Sequence, residues 1–205
     1  MSRGMLALIL EVIYIALVLA ARVWLHRRRT GDWGIRLQRE NTAARLCGVL
    51  FTGTLLLGLV GAVLAATETT ALVDGLDNRA TLVAGVAVFV VGFLITWFGQ
   101  QAMGRSWRIG VDPTERTELV TRGLFDFVRN PIFTGMIAAA FGLALIAPTS
   151  ITIVAAVSLV LTIELQVRTI EEPHLRTSML AWPAYASSTG RFVPLVGRIG
   201  GGSHV

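Results

Sequence analysis

The segment Leu119 to Gly135, LVTRGLFDFVRNPIFTG, passes from a polar, arginine-bearing loop straight into an apolar helix. Its distant companion is EEPHL at Glu171 to Leu175, and between them lie two apolar runs, Ile132 to Ala147 and Ile151 to Val167, broken at Pro148. Proline lacks a backbone donor and collides with the preceding turn, so Pro148, Thr149 and Ser150 read as a tight turn between two helices. A helical hairpin returns the chain to the side it left. The spacing therefore predicts that the Arg129 loop meets Glu171 and Glu172 at one membrane face, and that meeting point is the candidate active site.

The rest of the chain is built to hold such a hairpin in lipid. Of 205 residues, 54% are hydrophobic and 15% charged, whereas a typical soluble domain carries about 25% charged residues. About 20 apolar residues rising ~1.5 Å each cross a ~30 Å hydrocarbon core. Met5–Leu25, Leu46–Ala66 and Leu82–Phe98 precede the hairpin as spans. The two hairpin runs are short for a bilayer, which calls for local thinning or a partly sunken pair. The expected fold is an all-α integral membrane protein of five transmembrane helices, with a C-terminal helical hairpin and an amphipathic cap over Arg168–Pro194. Residues 1–98 form a three-helix membrane region, 99–194 the core with loop, hairpin and cap, and 195–205 a flexible tail.

All 18 basic residues are arginine. The stretch from Arg22 at the end of the first span to Arg45 holds 7 of them, those after the third and fifth spans hold 5 and 4, and only Arg3 and Arg79 lie elsewhere. Positive charge stays on the inner side, so the N-terminus faces out and the candidate site faces the cytoplasm, as in a bacterial inner membrane. An arginine collar at His26–Arg29 facing anionic lipid accounts for the net +5 without a nucleic-acid partner. A single cysteine, Cys47, and scattered His26, His174 and His204 leave no metal-ligand pattern. There is no strand followed by a glycine-rich nucleotide loop and no phosphate-binding loop.

Three further features carry expectations. Gly85, Gly92 and Gly99 recur every seven residues, placing them on one helix face where another backbone can approach closely. Glu11 lies within the first span, where a carboxylate costs roughly 2.5–3.5 kcal/mol at mid-membrane; the favoured placement is near the outer end, reaching the headgroups. Glu171 and Glu172 are adjacent, so they point about 100° apart on a helix and one can face inward while the other cannot. Pro173 favours an extended or helix-end geometry at Glu172. Glu164 and Gln166 continue a polar stripe toward the membrane.

The segment from Leu119 resembles the signature of integral membrane methyltransferases of the isoprenylcysteine carboxyl methyltransferase family and its phospholipid methyltransferase relatives. Gly123, Arg129, Pro131 and Gly135 stand in register with it, AMGRSW at Ala102–Trp107 looks like the family's entry motif, and Glu171, Glu172, Leu175, Tyr185, Arg191, Phe192 and Pro194 match later elements. Asn130, Phe133, and Leu124 with Phe125 replace a histidine, a tyrosine and a Pro-Tyr pair of the family pattern. The resemblance implies S-adenosylmethionine as methyl donor and a lipid or isoprenoid-like acceptor drawn from the bilayer. It implies Arg129, Glu171 and Glu172 as catalytic residues, with Arg129 holding the carboxylate of the cofactor or of an acidic acceptor. Gly123, Phe125, Arg129, Asn130, Pro131, Glu172 and Tyr185 are the implied cofactor-binding set, and Trp182 or Tyr185 would stack on adenine. Two other readings stand beside it: an NADPH-dependent membrane reductase of the sterol type, and a non-catalytic scaffold descended from the enzyme.

Overall fold

A computed structural model describes residues 1–35, 41–107 and 119–199. The arginines at 36, 39, 108 and 116, and the tail from Gly200 with His204, lie outside the described residues. Among the described residues the regular elements are helices, with an isolated parallel bridge between Val128 and Gly190. Four helices are long and apolar enough to cross a membrane: α1 (Arg3–Thr30), α2 (Thr42–Ala66), α3 (Arg79–Met103) and α5 (Ser150–Ser178). Between α3 and α5 lies α4 (Pro131–Ile146), apolar but only 16 residues long. A short α6 (Trp182–Ser188) follows.

The helices start where capping residues stand. Ser2, Asn41, Asn78 and Thr149 each accept a backbone N–H of the first turn of α1, α2, α3 and α5, satisfying donors that the helix itself cannot. Pro131 opens α4, where its missing N–H costs nothing. The end of the bundle that carries the N-terminus is closed by Arg3. Its Nε and Nη2 donate to the carbonyls of Ile146 and Leu145 at 2.7 and 2.8 Å, and Nη1 pairs with Asp77 at 2.7 Å. A cation thus terminates α4, as the helix dipole prefers.

The tightest seam joins α3 to α4, and the seven-residue glycine repeat makes it. A Cβ on Gly85 would lie 2.8 Å from the Ile146 nitrogen, one on Gly92 2.4 Å from that of Ala139, and one on Gly99 3.0 Å from an Ile132 side-chain carbon. Gly135 and Gly142 of α4 answer from the other side, with Thr96 and Phe89 in the space a side chain would need. Backbone contact of this kind replaces the hydrophobic drive that lipid does not supply.

Three boundaries differ from the sequence expectation. The first span does not stop at Leu25: α1 continues to Thr30, carrying His26–Arg29 on its last turns. Its Ala16–Ala21 stretch is a π turn, and Gln100 of α3 donates from Nε2 to the Val18 carbonyl within it at 3.0 Å. Arg22 then crosses to the end of α3, donating to the carbonyls of Gln100 and Gly104 while its guanidinium lies 4.9 Å from the Trp107 ring. Second, Glu172 is not at a helix end. Its backbone is α-helical at φ −61°, ψ −42°, and α5 runs on to Ser178. The π turn over Val167–Glu171 widens the helix where the Pro173 ring would otherwise strike the carbonyl of Thr169. Third, the chain after Pro194, expected to be a free tail, is still bonded at its start: Val196 accepts from the Arg191 N–H, and Ile199 donates to Ala186.

Candidate active site

Each end of the hairpin contributes one charged side chain. Arg129 precedes the N-terminal proline of α4, and Glu172 lies a turn beyond the apolar part of α5. Separated by 43 residues, they pair at 2.9 Å, both buried. The hairpin brings together the two patches the sequence placed on one face. A third residue completes the cluster: Arg191 donates from Nε and Nη2 to the two Glu172 oxygens at 2.8 and 2.9 Å. This bidentate pairing fixes the carboxylate in orientation as well as place, and it holds the Arg191 guanidinium above its ordinary pKa.

Local backbone pairing positions these groups. Val128 bridges Gly190, the Arg129 N–H donates to Gly190 O at 2.8 Å, and the Asn130 N–H to Arg191 O at 3.2 Å. Thr134 Oγ1 donates to Phe192 O at 2.9 Å. The loop before α4 is thereby zipped to the segment after α6. Gly190 admits no side chain, since a Cβ would sit 2.0 Å from Val193 O. Upstream, Gly123 adopts φ +69°, a left-handed geometry that suits glycine, and its N–H donates to Asp126 at 2.9 Å. Phe125 is buried just after it. Tyr185 of α6 donates its hydroxyl to Phe125 O at 2.7 Å, and burial pushes the phenol up to about 12. It therefore stays a donor at neutral pH.

Arg129 departs most from the expected picture. Its Nη1 donates to the carbonyls of Ala186 and Thr189, its Nη2 to Glu172 and Gly197, and its guanidinium lies 5.6 Å from the Trp182 ring. A guanidinium has five N–H donors. Four are committed to the protein, and only the buried Nε is left without an acceptor. Arg129 thus acts first as the knot that ties α4, α5, α6 and the Gly197 turn together. It does not present a free fork to a carboxylate.

The expected residues separate into those that meet and those that do not. Arg129, Glu172, Asn130 and Tyr185 share the knot or its backbone zip, with Pro131 and Gly123 shaping the loop. Glu171 looks elsewhere and accepts from Gln166 of its own helix at 2.9 Å. Adjacent helical positions diverge by about 100°, so only one acid can enter the cluster. Arg191 and Gly197 were missed as cluster members. Arg191 had a signal, because it stands in the matched motif; Gly197 acts through its carbonyl alone, which no side-chain pattern reveals.

Residues 80–179, just under half the chain, match the model of the phospholipid methyltransferase family. This segment is similar to that family. No curated protein and no solved structure matches the chain significantly. The family segment begins within the first turn of α3, contains the glycine seam and the hairpin, and reaches past Glu172. Arg129 and Glu172 therefore both fall inside it, while Arg191 and Gly197 lie beyond. The chain thus combines a segment similar to a phospholipid methyltransferase family with four helices long and apolar enough to cross a membrane.

Proposed function

We propose that the chain is a five-span, S-adenosylmethionine-dependent methyltransferase of a bacterial inner membrane, acting at the cytoplasmic face on an isoprenoid-like or other small lipid. The observation that carries this reading is the 2.9 Å pair of Arg129 and Glu172, two family-segment residues folded together at the mouth of the hairpin. The residues around the pair suit that cofactor. The buried Arg129 Nε has no acceptor, and Asn130 Oδ1 accepts nothing from the described residues. Together they provide one donor for a carboxylate and one acceptor for an ammonium or hydroxyl group.

Methyl transfer is an in-line displacement, and the sulfonium supplies the reactivity when the cofactor is bound. The protein's contribution is placement to within ~3–3.5 Å and management of charge. Glu172, locked by two arginines, sets the position of the Arg129 Nε. Trp182, buried against Arg129, offers an aromatic face, and Tyr185 holds the Phe125 loop closed. Asn130 does not titrate near neutral pH, so this site suits an acceptor already ionised, a carboxylate or thiolate, that needs no general base. The fourth and fifth spans, α4 and the apolar part of α5, let the acceptor reach the inner end of the hairpin from lipid. The arginine distribution supports that orientation. The family match favours methyl transfer over the reductase reading.

The test is cofactor binding by calorimetry in detergent. The wild-type chain binds S-adenosylmethionine, and Glu172→Ala or Arg129→Ala removes the heat of binding. No binding by the wild-type chain, together with no labelled methyl entering a lipid extract, would overturn the proposal.

A further inference from the structure

A second carboxylate lies inside the bundle, far from the hairpin mouth. Glu11 stands eight residues along α1 from Arg3, roughly 12 Å from that end of the bundle. From Glu172 the distance along the bundle is about 25 Å, counted as the 17 helical steps of α5 back to Ala155. The headgroup placement expected for Glu11 is not what the structure shows. The residue is only 7% exposed, and it faces α2, where a Cβ on Gly58 would lie 2.8 Å from its Oε1. A glycine across from it leaves the carboxylate room to point inward rather than out along the helix.

The space it points into is a cavity of about 60 Å³ between α1, α2, α4 and α5. Its walls are mostly alanine and aliphatic, including Ala7, Ala139 and Ala155, and no cation lines it. The neighbouring hydroxyls are already committed. Tyr14 bonds Thr96 at 3.1 Å, Thr54 donates to Phe51 O at 2.8 Å, and Thr152 serves the cap of α5. Among the described residues Glu11 has no hydrogen-bond or ion-pair partner. It is the one carboxylate in the cavity lining.

We propose that this cavity binds the ammonium head of a primary alkylamine-type ligand, held by Glu11. An unpaired carboxylate in low dielectric is costly, and an N–H-bearing cation offsets that cost through short charge-assisted bonds. A water needs about 10–15 Å³ of such space, so 60 Å³ accommodates roughly four heavy-atom-sized groups. That fits an ammonium and its first methylenes, with the alanine walls receiving the carbons. A quaternary ammonium brings no donor, and an alcohol brings one donor and no charge. The site is independent of the methyltransferase reading, and its readout is binding alone.

Native mass spectrometry of the purified chain in detergent, titrated with octylamine and with octanol, tests it. The expected result is one saturable octylamine per chain and no saturable octanol. Glu11→Gln keeps the shape and weakens octylamine at least tenfold. Ala155→Leu fills the space, keeps Glu11, and weakens it to a similar extent. Equal retention of alcohol and amine, absence of saturable amine binding, or unchanged binding by Glu11→Gln would each overturn the assignment. Should Glu11→Gln fail to fold, the amine–alcohol contrast on the wild-type chain decides alone.

Discussion

Glu172 and Glu11 are both carboxylates buried among apolar helices, yet they are housed in opposite ways. Glu172 receives three N–H donors from two arginines. Glu11 receives none from the described residues and faces open space across a glycine. The difference shows how lipid-embedded helices use charge. A carboxylate that is fully bonded fixes the relative position of distant segments and is spent in doing so. One left unbonded beside a cavity is available to something that arrives.

That contrast can be broken by measurement. The largest effect should come from Glu172→Ala. Removing the shared partner leaves the deeply buried Arg129 with carbonyl partners alone and Arg191 with only Glu164 at 4.0 Å, a change worth about 3–5 kcal/mol. Unfolding in mixed micelles should show the loss; a cost below about 1 kcal/mol would mean the cluster does not hold the fold. Gly135→Val should come next, at about 1–3 kcal/mol or more, because its Cβ would sit 2.4 Å from Thr96 Oγ1 and 2.6 Å from Gly92 O. The same assay reads it, and an unchanged midpoint would refute the close α3–α4 approach. Arg191→Lys keeps the charge but loses the fork, and should cost about 1–2 kcal/mol. If lysine serves equally well, bidentate geometry is not what Glu172 needs. The smallest change should be Glu11→Gln, within about 1 kcal/mol of wild type in the absence of amine. A cost as large as that of Glu172→Ala would erase the distinction between the two acids.

The features legible in the sequence were those written in spacing. Pro148 between two apolar runs forecast the hairpin, and the hairpin required Arg129 and Glu172 to meet. The seven-residue period of Gly85, Gly92 and Gly99 forecast a close helix contact, and α4 provides it. Hydropathy, however, measures how apolar a segment is and not which neighbour it faces. Nothing in the local sequence says that Gly58 lies opposite Glu11, because that depends on the relative register of α1 and α2. Proline disfavours helix at the residue before it, but the π turn preceding Pro173 relieves the clash and lets the helix continue. Likewise the type of residue at 129 was informative, while its four carbonyl and carboxylate partners came from three later segments that only the folded chain assembles.

Those partners come late in the chain. The carbonyls of Ala186, Thr189 and Gly197 all lie C-terminal to the hairpin, and two of them follow the last helix. A chain interrupted after Ser188 would therefore carry all its membrane helices while lacking two of the four partners that hold the keystone.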